Sequence, residues 1–236
     1  MSIKKHIPNS ITLMNLLCGA VGVIFTFENA IDAAFMLMLA AAVFDFCDGL
    51  AARLLKAYSD TGKELDSLSD MVSFGLLPSL MLYSTMRTAG SDTLLCYIPL
   101  LIALASALRL AKFNIDERQH SSFLGLPTPA CAIICGSLSY YIFAEGPFNV
   151  AAAWWFIPVL SVVLGLLLVS EIPMFSMKFG GDAASDKRTG YLRIAFLAIS
   201  ALIVISVPLL RQNWSLIPLG IFTMYVLINL LAYKRG

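Results

Sequence analysis

Four aspartates, Asp45, Asp48, Asp66 and Asp70, stand within one stretch, DFCDGLAARLLKAYSDTGKELDSLSD, of a chain that is otherwise strongly apolar. Ionisable groups inside membrane-type segments are costly and usually face a cavity or an ion. On a helix Asp45 and Asp48 lie three apart and share a face, with Ala52 one turn further along it. Asp66 and Asp70, four apart, share a face of the next helical stretch. A short loop around Ser59 to Gly62 is expected to let the two faces meet. Four oxygen donors converging in this way suit hard cations such as Mg2+ or Mn2+, and can hold two of them. The same acids could instead pair with Arg53, Lys56 and Lys63 as an interfacial ion-pair cluster. That reading does not require the small residues Gly49, Ala52 and Gly62 at their spacings.

The elements that must position these acids are apolar helices. Hydrophobic residues make up 59% of the 236-residue chain and charged residues 13%, and the mean hydropathy is +0.83. This balance predicts an all-α, polytopic membrane helical bundle rather than a soluble globule. The length leaves room for about eight transmembrane helices of about 20 residues. Candidate spans are about 10–27, 31–55, 66–88, 93–113, 127–145, 150–172, 191–211 and 214–233. One membrane domain over residues 1–236 is expected, with no internal repeat. The five cysteines all fall in apolar stretches and read as small buried hydrophobes. The net charge of +1 identifies no partner, and nothing points to nucleic acid. Lys4, Lys5, Lys56, Lys63, Lys112, Arg118, Lys178, Lys234 and Arg235 fall at one set of span ends, with Lys187, Arg188 and Arg193. Arg87 and Arg211 stand at the other. By the positive-inside rule both termini and the acidic motif face the cytoplasm, in a multi-pass protein of the cell membrane.

Written out, the stretch is D-x2-D-G-x2-A-R-x8-G-x3-D-x3-D. It resembles the signature of the CDP-alcohol phosphatidyltransferase family at every defined position. The resemblance implies a cytoplasm-facing active site acting on a CDP-linked lipid, two divalent ions and a homodimer. It implies Asp45, Asp48 and Asp66 as metal ligands, and Asp70 as the base that takes the acceptor hydroxyl proton while still near a metal. A diphosphate needs charge neutralisation before a nucleophile approaches, and metal ions clamped by carboxylates supply it. Gly49 and Ala52 lack bulk, so a nucleotide and its phosphates can lie against the helix. Arg53 offers a forked donor to phosphate or to the carboxylates. Gly62, Asn9, Thr12 and Asn15 are assigned to the CDP-diacylglycerol site by the same likeness, the last three from the opening Ile7-Pro8-Asn9-Ser10-Ile11-Thr12 with Asn15.

Further on, Arg109-Leu110-Ala111-Lys112-Phe113-Asn114 followed by Phe123-Leu124-Gly125-Leu126-Pro127-Thr128-Pro129-Ala130 resembles the phosphatidylserine synthase branch of that family. So does Ser170-Glu171-Ile172-Pro173-Met174-Phe175-Ser176-Met177-Lys178. That branch more often has Arg where Lys112 stands, which keeps the charge and loses the fork. The implied acceptor is L-serine and the implied products are phosphatidylserine and CMP. Arg109, Lys112, Asn114, Glu171 and Lys178 are the candidates for binding serine or phosphate. Arg109 could equally anchor its helix by snorkelling, Asn114 could cap a helix end, and Glu171 could be a solvated interfacial acid. Glycerol phosphate or inositol phosphate would keep the reaction and change the acceptor, but would demand a denser basic pocket. A cation-coupled transporter would also place acids in a membrane, yet it predicts matched halves with broken helices.

Overall fold

The computed structural model describes residues 6–90, 93–115, 123–145, 150–174 and 187–233. Lys4, Lys5, Arg118, Lys178, Lys234 and Arg235 lie outside the described residues. The chain is an all-α bundle of membrane helices. It runs α1 (His6–Phe27), α2 (Ile31–Leu54), α3 (Asp60–Asp70), a π-helical turn (Met71–Leu76), α4 (Leu77–Thr88), a 3-10 turn (Leu94–Tyr97), α5 (Leu100–Ile115), α6 (Thr128–Glu145), α7 (Val150–Val169), α8 (Lys187–Leu209) and α9 (Leu216–Tyr233). Among the described residues four segments are long and apolar enough to cross a bilayer: His6–Phe27, Ile31–Leu54, Leu94–Ile115 and Gly190–Leu209. Trp154–Val169 and Leu216–Ala232 are shorter apolar helices.

The first three helices are joined by turns that the sequence encodes locally. Asn29 takes a left-handed φ of 59° between α1 and α2, a conformation asparagine tolerates better than most residues. Ala30 N–H closes that turn on Phe25 O at 2.9 Å. Lys56, at φ 49°, does the same after α2, with Ala57 N–H returned to Ala52 O at 2.9 Å. Ser59 then caps α3, its Oγ accepting from Gly62 N–H at 3.1 Å. Gly62 therefore lies in the first turn of α3 rather than in the connecting loop. The helix also begins at Asp60, ahead of the expected start at 66.

The expected span 66–88 is one rod with a widened turn inside it. Pro78 near the start of α4 has no N–H to give to the turn before it. Gly75 lets α5 come close, since a Cβ there would lie 3.1 Å from Cβ of Ser106. π turns inside α-helices are frequent at functional sites, and this one directly follows Asp70. The core is split into two clusters. One joins α1, α2, α4 and α6 around Phe35, Met38, Phe74, Leu77 and Met81. The other joins α4, α5, α6, α7 and α9 around Leu82, Met86, Ile102, Cys135 and Leu168. Cys47 is half-buried and the other four cysteines are buried, all as free thiols.

α7 ends at Val169, short of the expected 172, because the next residues leave the helix. Phe123–Leu124 (β1) and Pro173–Met174 (β2) form a two-residue antiparallel pair, Phe123 opposite Met174 and Leu124 opposite Pro173. The two motifs flanking α6 and following α7 are thereby tied together. Sequence separation gave no hint of that pairing.

Candidate active site

Asp45 and Asp48 project from the last turns of α2, and Asp66 from the middle of α3. One ligating atom from each of these three carboxylates lies within 4.8 Å of the others. Asp48 is buried, and Asp45 and Asp66 are half-buried. Asp48 Oδ2 and Asp66 Oδ1 are buried without a hydrogen-bond partner. Buried carboxylate oxygens left unsatisfied and crowded by like charge are strongly disfavoured unless a cation joins them. Three acids with two orphaned oxygens therefore fit a hard divalent ion.

Asp70 stands one turn beyond Asp66. Its carboxylate is buried and interacts electrostatically with Asp45 and Asp66. Asn15 on α1 holds it, Nδ2 donating to Asp70 Oδ1 at 3.2 Å. Asn15 is itself fully buried, and its backbone carbonyl accepts from Ser73 Oγ–H in the π turn at 3.0 Å. Thr12, one turn earlier on α1, is buried and turns its hydroxyl to Pro8 O at 3.1 Å. Asn9 reaches the start of α3, its Oδ1 lying 3.1 Å from where a Cβ on Gly62 would sit. So α1 runs alongside the acids and braces them from one side.

The α2 backbone next to Asp48 is uncovered. Gly49 is exposed, and a Cβ built on it would meet nothing within 4 Å. Ala52 is half-buried and Arg53 exposed at the end of α2. Gly49 thus leaves open space on α2 beside Asp48, with Arg53 one turn further on.

The remaining candidates separate. Arg109 on α5 is buried, with Nη1 donating to Thr128 Oγ1 at 2.9 Å. Its charge interacts with Asp70. Lys112, one turn on, is exposed. Asn114 is clasped by α3, donating to Ser67 Oγ at 3.0 Å and to Glu64 Oε2 at 3.3 Å. Lys63 Nζ donates to its backbone carbonyl at 2.7 Å. In the structure Asn114 thus pins the end of α5 to the start of α3. Glu171 is exposed beyond α7, and Lys178 lies outside the described residues. Thr128, the partner of Arg109, stands in the sequence as a hydroxyl residue between Pro127 and Pro129 at the start of α6.

The sequence model described as CDP-alcohol phosphatidyltransferase matches residues 5–167, more than half of the chain and every acid of the site. The chain belongs to the CDP-alcohol phosphatidyltransferase family. Within that family it is similar to the CDP-diacylglycerol–serine O-phosphatidyltransferase of Mycobacterium leprae, 33% identical over 217 residues, which span 86% of this chain and 68% of the relative. It is also similar to the protein of that name from Bacillus subtilis, 37% identical over 137 residues, 58% of this chain and 76% of the relative. The Methanocaldococcus jannaschii protein of the same name is 32% identical over 177 residues, 72% of this chain and 75% of the relative. The family match ends before α8, so every acid and Arg109 fall inside it.

Proposed function

We propose that the chain is a phosphatidylserine synthase, which transfers the phosphatidyl group of CDP-diacylglycerol to the hydroxyl of L-serine and releases CMP. The convergence of Asp45, Asp48 and Asp66, with ligating oxygens within 4.8 Å, carries the phosphatidyl-transfer half of this reading. The names of the relatives, together with a buried cation beside Asp70, support serine as the acceptor.

Asp45, Asp48 and Asp66, with Asp70 at their edge, would hold divalent metal, Mg2+ or Mn2+, as two ions. When bound, the metal neutralises the diphosphate and acidifies the acceptor hydroxyl. The open Gly49 face receives the nucleotide and Arg53 its phosphate edge, while Asn9, Thr12 and Gly62 line the α1 side. Asn15 fixes one oxygen of Asp70, leaving the other to take the proton of the serine hydroxyl. The serine oxygen then bonds to the phosphorus that carries the diacylglycerol, the bond from that phosphorus to the CMP oxygen breaks, and CMP departs. Arg109 offers its guanidinium to the serine carboxylate. The acidic end of the bundle faces the cytoplasm, because Arg53, Lys56, Lys63 and Lys112 gather there while Arg87 and Arg211 stand at other turns.

The test is an acceptor screen on detergent-purified protein with CDP-diacylglycerol and divalent metal, following CMP and lipid product. Phosphatidylserine should form with L-serine. Asp70→Asn should lower the rate by about a hundredfold or more, the usual contribution of a positioned base. Turnover with glycerol phosphate or inositol phosphate in place of serine would keep the acidic site and discard the acceptor. CMP release unaffected by Asp70→Asn would remove the base assignment.

A further inference from the structure

Resting on the serine reading above, Arg109 carries a feature that the motif alone does not explain: its hydrogen-bond partner is neutral. Arg109 is 8% exposed and Thr128 is 0% exposed. Burying a guanidinium is costly, and the usual compensation is a carboxylate. Here a threonine hydroxyl takes one N–H at Nη1, and the Nε–H is buried with no partner. Among the described residues no carboxylate hydrogen-bonds this group. A hydroxyl can fix the plane of the fork without cancelling its charge. The edge carrying Nε, which is the side-on edge that grips a carboxylate in two parallel bonds, is left unused.

The surrounding backbone is built to deliver that hydroxyl. Gly125 has a φ of +73°, and a Cβ on it would come within 2.6 Å of Ser170 O and 2.8 Å of Leu168 O. Only glycine lets the chain lie so close to the end of α7. Gly125 N–H donates to Ile172 O at 3.0 Å and Leu126 N–H to Leu167 O at 2.9 Å. Beyond this lock, Leu126 is fully buried and α6 starts at Thr128. The register of Thr128 against α5 is thus set by α7, two elements away from the acids.

We propose that Thr128 is a positioning residue for acceptor recognition, holding the Arg109 fork so that its free Nε edge engages the carboxylate of the incoming serine. An amino-acid acceptor is selected because a carboxylate matches that edge, whereas a plain alcohol leaves a buried guanidinium unsatisfied.

Two substitutions separate positioning from packing. Thr128→Val keeps the shape and removes the hydroxyl; Thr128→Ser keeps the hydroxyl and removes the methyl. KM for serine, KM for CDP-diacylglycerol and kcat are measured for both beside wild type, with thermal unfolding in detergent as the fold control. The expected result is a rise in serine KM of about tenfold or more for Thr128→Val, the scale of a lost bond to a charged group. Thr128→Ser should stay within about threefold of wild type, and KM for CDP-diacylglycerol should hardly move. If Thr128→Val fails to fold, Thr128→Ala takes its place beside Thr128→Ser with the same expectations. A Val or Ala variant as good as wild type overturns the proposal, as does a Ser variant equally impaired or parallel changes in both KM values. Absence of serine turnover in wild type would defeat the acceptor reading and this proposal with it. Normal serine turnover with a harmless Thr128→Val would defeat this proposal alone.

Discussion

Replacing Gly19 by alanine tests whether the packing of α1 against the π turn sets the geometry of Asp70. A Cβ on Gly19 would stand 2.9 Å from Cα and 3.0 Å from Cβ of Ser73. Both atoms belong to a buried π turn, so no flexible side-chain end can swing away from the backbone contact. Ordinary contact begins at about 3.4 Å, so α1 and the turn must part by roughly half an ångström or more. Ser73 lies three residues after Asp70 and is bonded to the carbonyl of Asn15, whose side chain holds Asp70. The displacement therefore enters the site directly. Overpacking a tight core contact costs about 1–3 kcal/mol, whereas catalytic groups tolerate about 0.5 Å of misplacement. Activity should fall about 10- to 100-fold, beyond what the loss of folded protein accounts for. Gly22→Ala is the comparison. Its Cβ would meet Leu77 Cδ2 at 2.7 Å, the end of a side chain rather than the backbone of the π turn, and it should cost less activity. The assay is CMP release per folded molecule, with the folded fraction taken from size exclusion and thermal unfolding. Equal activity loss in the two variants, or a stable and fully active Gly19→Ala protein, would refute the reasoning.

Gly49→Ala should separate folding from chemistry in the opposite sense. The site is open and helical, so alanine should leave stability unchanged or raise it by up to about 1 kcal/mol. Activity should drop at least tenfold if the nucleotide lies on that face, and an active variant would move the substrate elsewhere. Mn2+ or Mg2+ should raise the unfolding temperature of wild type, since binding to the native state alone adds about 2.7 kcal/mol at a hundredfold excess over Kd. Asp48→Asn should shrink that shift while stabilising the metal-free protein, because it removes one of the crowded charges. A shift of wild-type size in the variant would exclude Asp48 as a ligand.

The acidic motif could be read from the sequence because helix geometry is local. Spacings of three and four fix which aspartates share a face, and after the Lys56 and Ser59 turns α3 packs against α1, where Asp66 comes near Asp45 and Asp48. The helices themselves were equally legible as long apolar runs, and the family could be named from the motif. What surrounds the acids was not. Phe35 and Phe74 are 0% exposed while Phe156 is 54% exposed, yet all three are phenylalanines in apolar stretches. In a bilayer both the packed and the lipid-facing sides of a helix are apolar, so hydropathy does not say which face is inward. Only the tertiary structure could therefore bring Asn15 to Asp70, set Ser73 against Gly19, and turn Asn114 toward α3. The same holds for Thr128, whose contact with Arg109 depends on a backbone lock formed with the end of α7, more than 40 residues away in the chain. The sequence by itself determined which acids share a helix face, through residue type and short-range spacing. Tertiary packing decided how those acids are braced and how the buried Arg109 is held, because those contacts join segments that no local pattern connects.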